Sequence, residues 1–307
     1  MAANTNTNQF NKIVIFGVGL IGGSFALALK KQAAVQQVIG LERSRLALDR
    51  ALQLGIIDLA GADIASALDG ADLVLIATPV AQTETILRAI YPHLQSQTVV
   101  TDAGSTKSDV VEAARRALGE KIHQFVPAHP IAGRETNGPD AAIADLYRGK
   151  KLVITALAEN LPDTVGLVAF AWQQCGALPH YLTPGEHDQV FAAVSHLPHV
   201  LAYALVDQIA EQPQSDLRFQ YAASGFRDFT RIAGSSPEMW RDISLANRQA
   251  LLDELVKYQA QLARIATALQ NSDGDQLLAI YTNAQGARHQ WITSIETAEK
   301  PSKEGGD

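Results

Sequence analysis

The chain of 307 residues has a single cysteine, Cys175, so no disulfide closes within it and a reducing compartment is expected. It has no excess of positive charge. With 25 Lys and Arg against 32 Asp and Glu, the net charge is −7, which argues against nucleic acid or an anionic membrane as the main partner. An anionic small molecule stays compatible, because a local arginine site opposes the global sign. The first residues, "MAANTNTNQFN", lack the basic and apolar regions of a signal peptide, and no run approaches 18 apolar residues without a polar break. A soluble, cytoplasmic protein with no membrane span is expected. Internal repeats and low-complexity tracts are absent, and no cluster of Cys, His and carboxylates has the spacing of a metal site.

What the sequence does contain is alternation. Short β-branched runs at 12–16, 37–42, 72–78, 98–103, 124–129 and 151–156 are separated by stretches with helical spacing, such as 24–31 and 45–54. Continuous apolar strands between helices indicate a parallel sheet covered on both faces. After "YLTPGEHD" the β-runs stop. Leu251, Leu255, Tyr258, Leu262, Ile265 and Leu269 then recur at amphipathic helical spacing. The expected fold is an α/β Rossmann-type domain at 10–183, an all-α domain at 184–297 and a disordered tail at 298–307.

"KIVIFGVGLIGGSFALALKK" is a strand, then Gly17-x-Gly19-x-x-Gly22, then a helix. The first glycine permits the tight turn, the second admits a pyrophosphate to the backbone, and the third lets helix and strand pack closely. Gly17, Gly19, Leu20, Ile21 and Gly22 would line that turn, with phosphates at the helix N-terminus. Glu42 lies twenty residues past Gly22, the spacing of a ribose-binding carboxylate, and favours NAD. Arg43, Ser44 and Arg45 follow at once and would also receive the extra phosphate of NADP. Thr78 and Pro79, at the end of a later strand, are placed to border the adenine or nicotinamide.

Four further blocks, "DAGSTKSDV", "VPAHPIAGRE", "VSHLPHVLAYAL" and "SGFRDFTRIAGSSPEMWRDI", follow in this order. With the Rossmann motif they resemble the prephenate/arogenate dehydrogenase family of tyrosine biosynthesis, over nearly the whole chain. The resemblance implies a monofunctional enzyme without a fused mutase or a regulatory domain. It would carry out NAD-dependent oxidative decarboxylation of prephenate, or of arogenate with NADP as an option, and dimerise through the helical domain.

By the same match His129 is the base, Ser105 hydrogen-bonds the reacting hydroxyl, and Arg231 anchors a substrate carboxylate. A neutral histidine suits a base working near neutral pH, and a planar guanidinium suits a carboxylate. His199 is expected to face the substrate, whereas His196 is equally compatible with a buried structural role. Arg134 and Glu135, just after the His129 motif, would select between the keto-acid and amino-acid ends of the two substrates. Asp228 is expected to pair with a neighbouring arginine, Trp240 to pack the core, Pro198 to kink its helix, and Lys107 either to hold the Ser105 loop or to be solvated. Two other readings share the Rossmann motif. A β-hydroxyacid dehydrogenase would need a catalytic lysine in the helical half, where Lys257 lacks the surrounding motif. A dinucleotide-sensing regulator would not need Ser105, His129 and Arg231 together.

Overall fold

The computed structural model describes residues 9–299; from residue 300 on, the expected tail lies outside the described residues. Six parallel strands form the main sheet: β1 (Phe10–Phe16), β2 (Val35–Leu41), β3 (Leu59–Ala60), β4 (Leu73–Ile76), β5 (Val99–Asp102) and β6 (Phe125–Val126). Their order is β3-β2-β1-β4-β5-β6. The direction of winding reverses between β1 and β4, the position at which an open α/β sheet forms its ligand crevice. Period-two alternation divides β1 between two cores. Ile13 and Ile15 pack with Phe25 and Trp172 on one face, and Val14 and Phe16 with Leu87 and Val110 on the other. Helices α1 (Leu20–Lys31) and α6 (Pro162–Gln174) supply the first face. The second is covered by α4 (Thr83–Ile90) and α5 (Ser108–Leu118), and the short helices α2 (Arg45–Gln53) and α3 (Ile64–Leu68) complete the alternation.

Two of the six expected strands behave differently from a single parallel sheet. The run 124–129 breaks at Pro127, which has no N–H to donate to a ladder. Its first part is β6; its second, β7 (Ala128–Pro130), turns into a separate three-stranded sheet. There β7 pairs antiparallel with β8 (Lys151–Ile154), His129 lying opposite Val153. β8 in turn pairs parallel with β9 (Leu178–Tyr181), a strand whose proline and exposed side chains gave no β-signal in the sequence. The expected strand at 151–156 therefore belongs to this small sheet.

The described chain divides into two compact units, one ending at Leu251 and one beginning at Leu252. The first includes α7 (Pro184–Phe191), α8 (Leu197–Ala210), α9 (Ser215–Gln220), α10 (Ser224–Thr230) and α11 (Pro237–Ala246) beside the sheets. Thr183 caps α7 reciprocally with Glu186, and Pro184 occupies the first turn. Between α7 and α8, Ala192–His196 form a π-helical turn. It widens the helix just ahead of Pro198, which cannot supply the ordinary backbone bond, so the expected kink takes the form of a π-bulge. The continuous run Pro184–Ala210 is apolar and long enough to cross a membrane by length and hydropathy, 1.4, contrary to the reading that no segment qualifies. It also carries buried His187, Asp188 and His196, polar groups that hydrocarbon would leave unsatisfied. The second unit holds most of α12 (Arg248–Gln270) and α13 (Gly274–Glu299).

Candidate active site

The glycine turn joins β1 to α1 at the crevice. Gly17 has φ +91°, and a Cβ there would lie 2.6 Å from the Ala77 carbonyl oxygen. A Cβ on Gly22 would lie 2.0 Å from the Gly17 oxygen and 2.8 Å from Ile15, so helix and strand meet over a hydrogen atom. At Gly19 the nearest neighbour is 3.8 Å away, the backbone nitrogen of Gly138. Gly19 caps α1 without any side-chain hydrogen bond, and the first turn carries no acid. Its free N–H groups and the helix dipole suit a phosphate. Leu20 is buried, and the Tyr147 hydroxyl donates to the Ile21 carbonyl at 2.6 Å. Across the crevice Thr78 Oγ1 is buried without a partner among the described residues, next to exposed Pro79. Glu42 stands directly after β2 and accepts a hydrogen bond from the Arg43 backbone at 2.8 Å, while Ser44 caps α2. Three glycines with these separate constraints and an orphaned hydroxyl opposite fit a dinucleotide.

Asp102, the last residue of β5, organises the neighbouring loop. Its Oδ2 accepts from the Gly104 backbone at 2.8 Å and from the fully buried Lys107 ammonium at 2.5 Å. Its Oδ1 accepts from the Ala128 backbone at 3.0 Å. One carboxylate thus ties the Ser105 loop to the residue preceding His129. Lys107 holds the loop and is not solvated. Ser105 itself is half-buried and makes no side-chain hydrogen bond among the described residues.

His129 is half-buried on β7, its ring tilted against Phe191 at 4.9 Å. Its Nδ1 lies 2.8 Å from His187 Nε2, and His187 Nδ1 lies 2.8 Å from Asp188 Oδ1. The two oxygens of Asp188 also accept from the backbones of Lys107 and Ser108, each at 2.8 Å, where α5 begins. Burial, together with His187, Lys107 and His196, pushes the His129 imidazole well below the usual histidine value. Burial also lowers His187 despite the opposing Asp188 carboxylate.

The π-turn delivers the other two histidines. His196 is buried, pushed down to about 4 chiefly by burial, and its Nδ1 lies 3.1 Å from Asn247 Nδ2. That amide nitrogen also donates to the Asp188 carbonyl at 2.7 Å. His199 donates from Nδ1 to the Ser195 carbonyl at 2.9 Å and stacks on Trp240 at 3.5 Å. Trp240 is 9% exposed, so it both packs the core and supports a histidine.

The charged candidates sit farther out. Arg231 forms an ion pair with Glu135, the two side chains being 61% and 42% exposed. Arg134 is exposed on the same loop. Arg227 and Asp228 are exposed and 4.0 Å apart, a loose pair in which Asp228 does face an arginine. Sequence reasoning missed Asp102, His187, Asp188 and Asn247. Asp102 was visible as an acid ending an apolar strand, and His187-Asp188 as a polar pair within the first two turns of a helix.

The family model described as "Prephenate dehydrogenase, nucleotide-binding domain" matches residues 25–180, and that described as "Prephenate dehydrogenase, dimerization domain" matches residues 183–283. The first match begins beyond the glycine turn, which therefore rests on its own geometry. A cyclohexadienyl dehydrogenase of Zymomonas mobilis is 37% identical, over 91% of this chain and 95% of that protein. A prephenate dehydrogenase of Bacillus subtilis is 36% identical, over 90% of this chain and 75% of that one. Among solved structures, a prephenate dehydrogenase from Aquifex aeolicus in complex with hydroxyphenyl propionate and NAD+ superposes with a TM-score of 0.87. It is 33% identical, and the match covers 93% of this chain and 99% of that one. With a turn that fits a dinucleotide, a half-buried histidine on β7 and relatives aligned over most of its length, the chain belongs to the prephenate dehydrogenase family.

Proposed function

We propose that the protein is a prephenate dehydrogenase, converting prephenate to 4-hydroxyphenylpyruvate with NAD, and that His129 is its base. The observation that carries this reading is an imidazole held neutral on β7 and hydrogen-bonded, among the described residues, at Nδ1 only, in a chain whose first βα turn fits a dinucleotide. Bound NAD would accept a hydride from the ring carbon that bears the hydroxyl. Gly17, Gly19, Leu20, Ile21, Gly22, Thr78 and Pro79 would hold it, with Glu42 and Arg43 at the ribose. Glu42 supports NAD over NADP, since a carboxylate accepts from the ribose hydroxyls and repels a 2′-phosphate.

In the substrate half His129 takes the hydroxyl proton as the carbon–oxygen bond gains double-bond character. The ring carboxylate leaves as CO2, and its electron pair aromatises the ring. The resulting phenolate oxygen takes the proton back from His129, so no net proton is released. Ser105, unengaged on the adjoining loop, donates to the reacting oxygen. Arg231 receives a substrate carboxylate, His199 lies along the ring, and Arg134 and Glu135 act on the side-chain end. An exposed ion pair contributes at most about 1 kcal/mol, so a carboxylate of the substrate displaces Glu135 from Arg231 at little cost.

The domain boundary near residue 183 and dimerisation through the helical half belong to the same reading. Supporting the latter, α12 and α13 expose Val256, Leu262, Leu269, Leu278, Tyr281 and Trp291. The test is turnover, followed through the absorbance of reduced nicotinamide, with prephenate and arogenate supplied separately. His129→Asn should retain NAD binding and lose about 10²–10⁴ in kcat, the usual contribution of a positioned base. Near-normal turnover in that variant would remove His129 from the mechanism.

A further inference from the structure

His129 has two ring nitrogens, and only one of them can be the base. Which one is available follows from a chain of hydrogen bonds that ends on a carboxylate. Burial pushes the Asp188 carboxyl up, but the bonds from His187, Ser108 and Lys107 outweigh it and hold it below its usual value. Both its oxygens accept backbone N–H groups, so neither is free to carry a proton towards His187. The proton on the 2.8 Å contact therefore belongs to His187 Nδ1, which donates. A neutral imidazole protonated at Nδ1 has a lone pair at Nε2. The next contact, also 2.8 Å, joins that lone pair to His129 Nδ1, which must then be the donor.

We infer that His187 and Asp188 are positioning residues that lock His129 as its Nδ1–H tautomer, leaving Nε2 as the proton acceptor. The inference rests on His129 being the base and specifies how it is prepared. Asp188 does this from a firm footing, because the same carboxylate caps the start of α5 and its backbone carbonyl is held by Asn247. When Nε2 takes the hydroxyl proton, the new imidazolium already donates from Nδ1 into a chain whose dipoles point towards Asp188. The pair thus favours the proton-accepting state as well as the correct tautomer, the arrangement in which a carboxylate orients a histidine that orients a reacting group. The other charged and titratable groups near the chain include Lys107, Asp102, His196 and Asp109, whose carboxyl is pushed up mainly by burial. Lys107 is neutralised by Asp102 at 2.5 Å, so the carboxylate of Asp188 is the charge that His187 meets directly.

The experiment uses the full chain with 15N-labelled histidine, His129 being assigned through His129→Asn. The expected spectrum has a protonated, pyrrole-type Nδ1 and a pyridine-type Nε2 on His129 near neutral pH. A protonated Nε2 with a bare Nδ1 would overturn the inference without reference to any variant. His187→Phe should lower kcat roughly 10- to 100-fold, the range for losing a partner that orients a functional histidine, with KM and NAD affinity changed less than about threefold. His187→Gln, whose amide oxygen accepts near the former Nε2, should recover kcat to within about fivefold of the parent. Unchanged kcat in His187→Phe, or equal loss in Phe and Gln variants with the parent's thermal stability, would also refute it. If instead His129→Asn stays active, the base assignment fails, and the labelled spectrum still reports the tautomer.

Discussion

Gly19 and Gly22 are three residues apart in one turn, yet a methyl group added at each should act on different properties. At Gly22 the new Cβ would lie 2.0 Å from a backbone oxygen and 2.8 Å from Ile15. Neither the oxygen nor the strand gives way easily, so α1 must move off β1, and Ile15 and Phe25 lose their packing. Overpacking of this kind costs about 1–3 kcal/mol, or more where backbone is the obstacle. At roughly 2–4 °C per kcal/mol for a domain of this size, Gly22→Ala should melt several degrees lower. At Gly19 the Cβ meets nothing closer than 3.8 Å, and its φ of −76° is ordinary for alanine. Gly19→Ala should therefore melt within about 2 °C of the parent. Its methyl group instead enters the space that a pyrophosphate needs to reach the N–H groups of α1. Losing about 1.4–2.8 kcal/mol of phosphate contact corresponds to a 10- to 100-fold weaker NAD Kd. Thermal melting of the unliganded proteins and calorimetric titration with NAD separate the two effects. The reasoning fails if Gly19→Ala binds NAD like the parent, or if Gly22→Ala melts at the parent temperature.

Lys107→Met should destabilise the fold by about 3–5 kcal/mol, because it leaves the buried Asp102 carboxylate without its cation. The double variant with Asp102→Asn should recover part of this in denaturant titrations, and simple additivity of the two losses would argue against a coupled pair. His196, depressed from 6.5 to about 4 by burial, binds its proton more readily unfolded, so its stabilising share is complete above about pH 6.5 and falls as pH drops towards 4. That loss is roughly 3 kcal/mol; His196→Asn, which keeps an acceptor for Asn247, should flatten the decline, measured as unfolding free energy against pH. Arg231→Ala should raise the KM for prephenate about tenfold or more by removing a charge-assisted contact. Arg227→Ala should raise it less, and steady-state kinetics showing the reverse order would move the anchor to Arg227.

The parts legible in the sequence are those written in local spacing. Apolar runs marked β1, β4 and β5 because strands buried on both faces need no alternation, and the glycine turn announced itself through three positions with distinct constraints. Pro127 is visible in the sequence, but β-formers on either side of it have the pattern of one strand, whereas they belong to two strands in different sheets. β9 was missed because "LPHY" contains a proline and leaves most of its side chains exposed. The partners of His129 were hidden for another reason. His187 is 58 positions away and Asp188 reaches back 81 to Lys107. Such pairings arise from tertiary folding and leave no periodic trace, and the residues stood in the stretch that was taken for a boundary.

Hanging His129 on the small sheet has an evolutionary consequence. The strand register opposite Val153 fixes its backbone, while the connection from Ile131 to Lys150, which carries Arg134 and Glu135, is free to change its outer part. That connection is anchored to α1 near its far end, through Ile143 on Ser24 and Tyr147 on Ile21. Its exposed stretch, 133–137, lies between these fixed ends like an interchangeable cassette. If Arg134 and Glu135 act on the substrate's side-chain end as proposed, insertions and replacements there would alter which side chain a substrate must carry without displacing the imidazole. A lineage could then move between keto-acid and amino-acid substrates through a handful of loop variants, the hydride chemistry being inherited unchanged.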